Sequence, residues 1–164
     1  ALQSHRGGTG EVRYSSVDIV DDAGRGVAAI ACGDELIVRA GYVAEQAVEA
    51  PVFQMAIIDV DTGVIVTTAS SSAVDVPARV AGEGIVECRF SGLPLRPRQY
   101  VIRLSITDRH QLASYDTVTA GPRFAVTAGG RGVDGLAPSG DDDEGLISLS
   151  YAFHHRAAEA AGGR

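Results

Sequence analysis

The stretch Leu93-Pro94-Leu95-Arg96-Pro97-Arg98-Gln99-Tyr100-Val101-Ile102-Arg103-Leu104-Ser105-Ile106-Thr107-Asp108 decides how this chain folds. Pro94 and Pro97 each fix φ and withhold an N–H, so the residues around them form a corner rather than a ladder. Beyond the corner, apolar and polar positions alternate. A period of two places Tyr100, Ile102, Leu104 and Ile106 on one face of a strand, and Arg103, Ser105 and Thr107 on the other. A strand with one apolar face needs a second apolar layer. A tyrosine at its start, beside a corner, is how a chain turns from one sheet of a sandwich into the other.

Outward from that stretch, short runs rich in Val, Ile and Tyr recur between Asp and Gly turns, the spacing of an all-β protein. Strands are expected at about Val12–Val20, Glu35–Val43, Val52–Val60, Val64–Thr68, Gly84–Phe90, Gln99–Asp108, Ser114–Thr119 and Arg123–Thr127. Leu36, Val38 and Ala40 share one phase, as do Phe53, Met55 and Ile57, and these define a core. The strand from Val52 is apolar on both faces, which places it mid-sheet. Asp59-Val60-Asp61-Thr62-Gly63 and Asp21-Asp22-Ala23-Gly24 have turn chemistry, and Pro51 starts a strand where a missing N–H does least harm. The expected fold is an immunoglobulin-like antiparallel β-sandwich.

The 164 residues amount to one domain with appendages. Residues 1–11, rich in Gly, Ser and Thr, read as a linker, and 12–127 as the sandwich. Residues 128–144 are Gly-rich, contain Pro138 and end in Asp141-Asp142-Asp143-Glu144, so a mobile loop is expected. Strand character returns at 145–153, with Leu149, Tyr151 and Phe153 in phase, followed by a tail at 154–164. A strand on a flexible tether of ~17 residues can reach its own sheet or a neighbour's, the geometry of domain swapping.

Composition excludes several function classes. A hydrophobic fraction of 45% with 21% charged residues fits a packed domain, and a net charge of −7 with a pI near 5.0 is opposite to a nucleic-acid footprint. All the cations are Arg, and they are scattered. Without Lys there is no P-loop and no Schiff base, and without Asn there is no glycosylation sequon. Cys88, in phase with Val86 and Phe90, and Cys32 read as free thiols, which leans towards a reducing compartment. No apolar run reaches the ~18 residues of a membrane span. The first residues lack the basic and apolar regions of a signal peptide, and the opening without Met fits a piece of a larger protein, a cleaved tag or removal of the Met alike.

Catalytic and metal chemistry also find no support. Adjacent His154 and His155 would point to opposite faces of a strand, while His5 and His110 stand alone. Asp59 and Asp61 open like a calcium loop, but Ser70 stands where the bidentate Glu is required, so a hydrogen-bonded turn is expected. The run Asp141 to Glu144 reads as solvated loop. No Gly-x-Ser-x-Gly elbow occurs, and no pair of carboxylates stands out for glycoside hydrolysis. No enzyme activity, cofactor or metal is expected.

Taken in order, the motifs resemble the C-terminal carbohydrate-binding domain of Wzt-type ATP-binding subunits of O-antigen polysaccharide ABC exporters. They are Gly8-Thr9-Gly10-Glu11-Val12, Gly33-Asp34-Glu35-Leu36-Ile37-Val38, Pro51-Val52-Phe53, the strand and turn from Ile57 to Gly63, and Gly84. Leu93-Pro94-Leu95 through Tyr100 follows, then Tyr115-Asp116 and Phe124-x-Val126. The resemblance spans about residues 8–153, and order and spacing carry it. It implies non-catalytic recognition of an exported glycan on the cytoplasmic side of the bacterial inner membrane. It further implies a homodimer in which the terminal strand can be exchanged. The implied partners are the transporter's ATPase domain, upstream in the parent protein, and its membrane subunit.

The chain has no Trp to stack on a sugar ring. The candidate carbohydrate contacts are therefore the outward positions Gln54, Arg103, Ser105 and Thr107, with Tyr115 as the aromatic candidate. Amides, guanidinium groups and hydroxyls suit paired sugar hydroxyls, and small Ala56 and Ser105 leave a shallow groove. Ordinary solvent-facing roles account equally well for each of them. A structural sandwich of a secreted multidomain protein and a glycosidase accessory module are the alternative functions.

Overall fold

The alternation after the proline corner is realised as a strand from Gln99 to Thr107, whose Tyr100, Ile102, Leu104 and Ile106 are at most 1% exposed. The structure, a computed structural model, describes residues 6–73 and 77–128. The expected strand at 145–153, its tether beyond Ala128 and the tail at 154–164 lie outside the described residues. In chain order the strands are β1 (Arg6–Gly7), β2 (Val12–Val20), β3 (Ala29–Ala31), β4 (Leu36–Glu49) and β5 (Val52–Asp59). They continue with β6 (Ile65–Ser70), β7 (Arg79–Phe90), β8 (Gln99–Thr107), β9 (Ser114–Val118) and β10 (Arg123–Thr127). Among the described residues the only helical element is a 3-10 turn at Ser71–Ala73.

The strands form two sheets. In the seven-stranded sheet, β5 lies between β6 and β8, as its doubly apolar sequence requires. The other edge of β8 is shared end to end by β9 and β10, which carry β1 and β3 respectively on their far edges. The second sheet has the order β2-β4-β7. The break between β9 and β10 occurs at Gly121-Pro122, where Gly121 N–H donates to Ile102 O and Ile102 N–H donates to Pro122 O, both at 3.0 Å. A Cβ on Gly121 would fall 2.5 Å from Ile102 O, so only glycine allows this approach.

The inner faces meet in one core. Phe53 of β5 packs against Tyr14 and Tyr42 of the second sheet, with ring centroids 6.2 and 5.2 Å apart, and Tyr100 stacks on Phe124 at 5.6 Å. Each fully buried Leu, Ile or Val contributes about 1.5–3 kcal/mol. At the corner, Tyr100 Oη donates to Arg96 O at 2.9 Å and Leu95 is fully buried, which closes that end of the core. Cys32 and Cys88 are free and half-buried, and burial pushes the Cys88 thiol pKa up.

Two strands extend beyond their expected ends. The pairing of β4 with β7 resumes past an irregularity after Ala44, at Val48 with Val80 and Glu49 with Arg79. Gly84, expected to open its strand, therefore lies inside it, and the ring of Tyr42 occupies the space a side chain there would need. The segment read as a linker over residues 1–11 also differs, because from Arg6 onward it is bound to the sheet. Arg6 and Gly7 pair with Val118 and Thr117, Thr9 N–H donates to Ser114 O at 3.0 Å, and Gly10 N–H donates to Tyr115 O at 2.8 Å. Apolar alternation, the signal for a strand, is absent here. An ion pair takes its place: Arg6 donates through Nε and Nη2 to Asp116 at 2.8 and 2.7 Å. Asp116, 1% exposed, also accepts the Tyr14 N–H at 2.8 Å.

The other buried carboxylate, Asp59, organises the β5–β6 turn. Its Oδ1 accepts from the N–H groups of Asp61 and Thr62 and from the Thr62 hydroxyl, and Arg98 reaches its Oδ2 at 3.4 Å. Burial alone would raise its pKa. The Thr62 and Asp61 donors and the Arg98 charge outweigh burial and hold the carboxyl below the usual range.

Two outcomes follow from these carboxylates. Arg6→Ala leaves Asp116 buried with the Tyr14 N–H alone, and is expected to cost about 2 kcal/mol in urea unfolding, because Arg6 is itself partly exposed. The stability that Asp59 contributes is complete above the unfolded-state pKa of about 3.9 and is lost as pH falls through its lower folded value. Asp59→Asn should therefore be less stable at pH 7 and show a shallower loss of stability below pH ~4 in a pH series of unfolding curves.

Candidate functional site

Because β5 and β8 turn one set of side chains into the core, the alternate set faces outward on the seven-stranded sheet. Register then decides which outward residues meet. Gln54 pairs with Ser105 and Ala56 with Arg103 across β5 and β8. On the far side of β5, Gln54 pairs with Ser70 and Ala56 with Thr68. Across β9, Ser105 pairs with Thr117, which itself pairs with Gly7 of β1. Ser70, Gln54, Ser105, Thr117 and Gly7 thus make one row across five strands, about 19 Å long at the usual strand spacing. Every side chain in the row is small or neutral and polar.

The row is internally bonded. Ser105 Oγ donates to Gln54 Oε1 at 3.1 Å, and Gln54 Nε2 donates to Gln111 Oε1 at 3.0 Å. This leaves the second amide hydrogen of Gln54 and the remaining lone pairs of Ser105 and Gln111 for a ligand. Arg103, half-buried beside the row, makes no hydrogen bond or ion pair among the described residues. Its guanidinium is available as a forked donor.

Gln111 comes from the β8–β9 turn. Asp108 binds that turn closed: its Oδ1 accepts the N–H groups of Leu112 and Ala113, both at 2.6 Å, and its Oδ2 accepts that of His110 at 3.1 Å. The backbone adds Gln111 N–H to Asp108 O at 2.9 Å and Asp108 N–H to Ala113 O at 3.0 Å. The Ala113 amide, with those of His110 and Leu112, holds the Asp108 carboxyl below its usual range despite some desolvation. Within this frame Gln111 has φ +58°, a left-handed conformation that costs a non-glycine residue about 1–2 kcal/mol. Leu112, next in sequence, is 88% exposed.

The candidates from sequence separate into two groups. Gln54, Arg103 and Ser105 are brought together. Thr107 lies at the bulge where β8 pairs with Ser114, and its Oγ1 is buried without a hydrogen-bond partner among the described residues. Tyr115 is the extra residue of that bulge and lines a recess of about 230 Å³ with Arg6, Arg13 and the Gly7–Gly10 segment. Burial raises its phenol pKa, assisted by Asp108 and Glu11. A larger recess of about 510 Å³, near β3, contains none of the candidates, and its Asp21, Asp22 and Glu35 are engaged by Arg25 and Arg89. Sequence reasoning missed Thr117, Ser70 and Gln111. Strand phase locates the first two once register is known, whereas no periodic signal locates a turn residue such as Gln111.

The geometry is that of a shallow hydrogen-bonding surface on the seven-stranded sheet. Among solved structures, the chain is similar to a crystal structure of the C-terminal domain of Wzt, at 16% identity over 93% of this chain and 88% of that one, with a TM-score of 0.71. It is also similar to a Niemann-Pick type C2 protein from the Japanese carpenter ant, at 12% identity over 75% and 99% of the two chains, with a TM-score of 0.49. That second likeness is too distant to bear on function. A search of curated proteins finds no match. The family profile of the Wzt C-terminal domain matches residues 3–138, and the chain belongs to that family.

Proposed function

We propose that this domain binds an O-antigen-type polysaccharide without transforming it, and thereby couples the glycan to export by an ABC transporter. The row Ser70–Gln54–Ser105–Thr117–Gly7, flanked by Arg103, is the observation that carries this reading. It offers amide, hydroxyl and guanidinium groups on a face long enough to lie along several sugar units, and glycans are recognised by such convergent neutral donors and acceptors. Membership of the Wzt C-terminal domain family supports the setting. Gln54, Arg103 and Ser105 make the direct contacts, while Thr107 and Tyr115 border the face. In this reading the domain acts as a homodimer at the cytoplasmic face of the inner membrane, beside the transporter's ATPase domain and membrane subunit, and two sites share one polymer through avidity.

Calorimetric titration with the surface polysaccharide of the source strain tests the reading. Gln54→Ala and Arg103→Ala are each expected to weaken binding about fivefold to tenfold, the worth of one or two hydrogen bonds, with unchanged urea midpoints. An intact wild-type domain that binds none of this polysaccharide would sink the proposal. Removal of residues 145–164 is expected to convert the dimer to a monomer in sedimentation, and a dimer that survives the deletion would dismiss the exchanged strand.

A further inference from the structure

The Asp108–Ser114 turn holds a residue that its backbone does not favour. Glycine adopts φ +58° freely, and Asn and Asp tolerate it, yet the position is Gln111. The turn does not need that side chain to close, because closure is carried by Asp108 and the backbone. The Gln111 side chain instead accepts from Gln54, at one end of the chain Ser105→Gln54→Gln111. Left-handed non-glycine residues persist where the surroundings over-determine them, and they cluster at ligand-binding positions.

We infer that Gln111 and Leu112 form the specificity-determining element of the glycan face, Gln111 as a positioning and contact residue and Leu112 as its apolar platform. This rests on the proposed function. By holding the Gln54 amide in one orientation, Gln111 presents its own free N–H groups and the remaining N–H of Gln54 as a donor pair, the pattern that fits two neighbouring hydroxyl oxygens of a pyranose. A sugar also has a C–H face that needs an apolar contact. Tyr100 is fully buried, Phe53 is 5% exposed, and Tyr115 lines the recess at the Gly7 end of the row, three strands from Gln54, so none of these aromatics serves the Gln54–Gln111 end. Leu112, 88% exposed and next to Gln111, is the large apolar side chain that the turn offers there. The substrate class is a polysaccharide whose recognised unit pairs adjacent hydroxyls with an open C–H face.

The test compares wild type with Gln111→Gly, Leu112→Ser and, as a control on the opposite sheet, Glu83→Ala. Each is titrated with the source strain's polysaccharide and unfolded in urea, and the side-chain amide signals of Gln54 are followed by nitrogen-15 NMR. Gln111→Gly relieves the backbone while deleting the side chain, so its urea midpoint should stay level or rise while its affinity falls about fivefold or more. Its Gln54 amide signals should move with no ligand present. Leu112→Ser should lose affinity to a similar extent, and Glu83→Ala should bind as wild type. Gln111→Gly binding within about twofold of a binding-competent wild type would overturn the inference alone. A folded wild type that binds no polysaccharide removes the function on which it rests, even if the Gln54 signals still move in Gln111→Gly.

Discussion

Strand β8 cannot slip by a single residue. Such a slip would carry Tyr100, Ile102, Leu104 and Ile106 to the surface and bury Arg103, exchanging four core side chains for an unpaired charge. Register is fixed from both edges, by β5 along its length on one side and by β9 and β10 on the other. The same lock that places the core places the outward row, since Gln54, Ser105 and Thr117 meet only in this alignment. Core and candidate site are two readings of one alternation.

Buried carboxylates secure what hydrophobic alternation leaves open. Asp59 closes the β5–β6 turn and joins it through Arg98 to the proline corner, while Asp116 ties Arg6 and the Tyr14 backbone to β9. Each has enough donors to offset its desolvation, the condition for a charge to sit inside a fold. Asp108 does the equivalent work at the surface by closing a turn. Asp59 and Asp108 lie where strands end, beyond the reach of period-two patterning, whereas Asp116 sits inside β9 and turns its carboxylate to β1 and β2.

This division explains what could be read from sequence. Strands β2 and β10 coincide with their expected bounds because turn residues bracket stretches in which apolar and polar positions alternate. The C-terminal end of β4 and the N-terminal end of β7 were hidden because Glu45, Gln46 and Gly82 lack strand propensity: Gly82 is held by pairing with Ala44, while Glu45 and Gln46 lie in the irregularity before pairing resumes at Val48 with Val80. Ala29–Ala31 pairs parallel to β10, and Arg6–Gly7 pairs with β9, both contacts between residues far apart in sequence. Gln54, Arg103 and Ser105 were legible through phase alone. Gln111 was not, because its place depends on a left-handed backbone that no neighbouring residue announces.

The seating of Arg6 has a mechanical side. A pull applied at Arg6 loads the β1–β9 ladder and the Arg6–Asp116 pair together, and so reaches β9 directly. Thr117 on that strand is one register step from Ser105 and two from Gln54. Tension along the polypeptide and any load on the outer row therefore converge on one strand, β9.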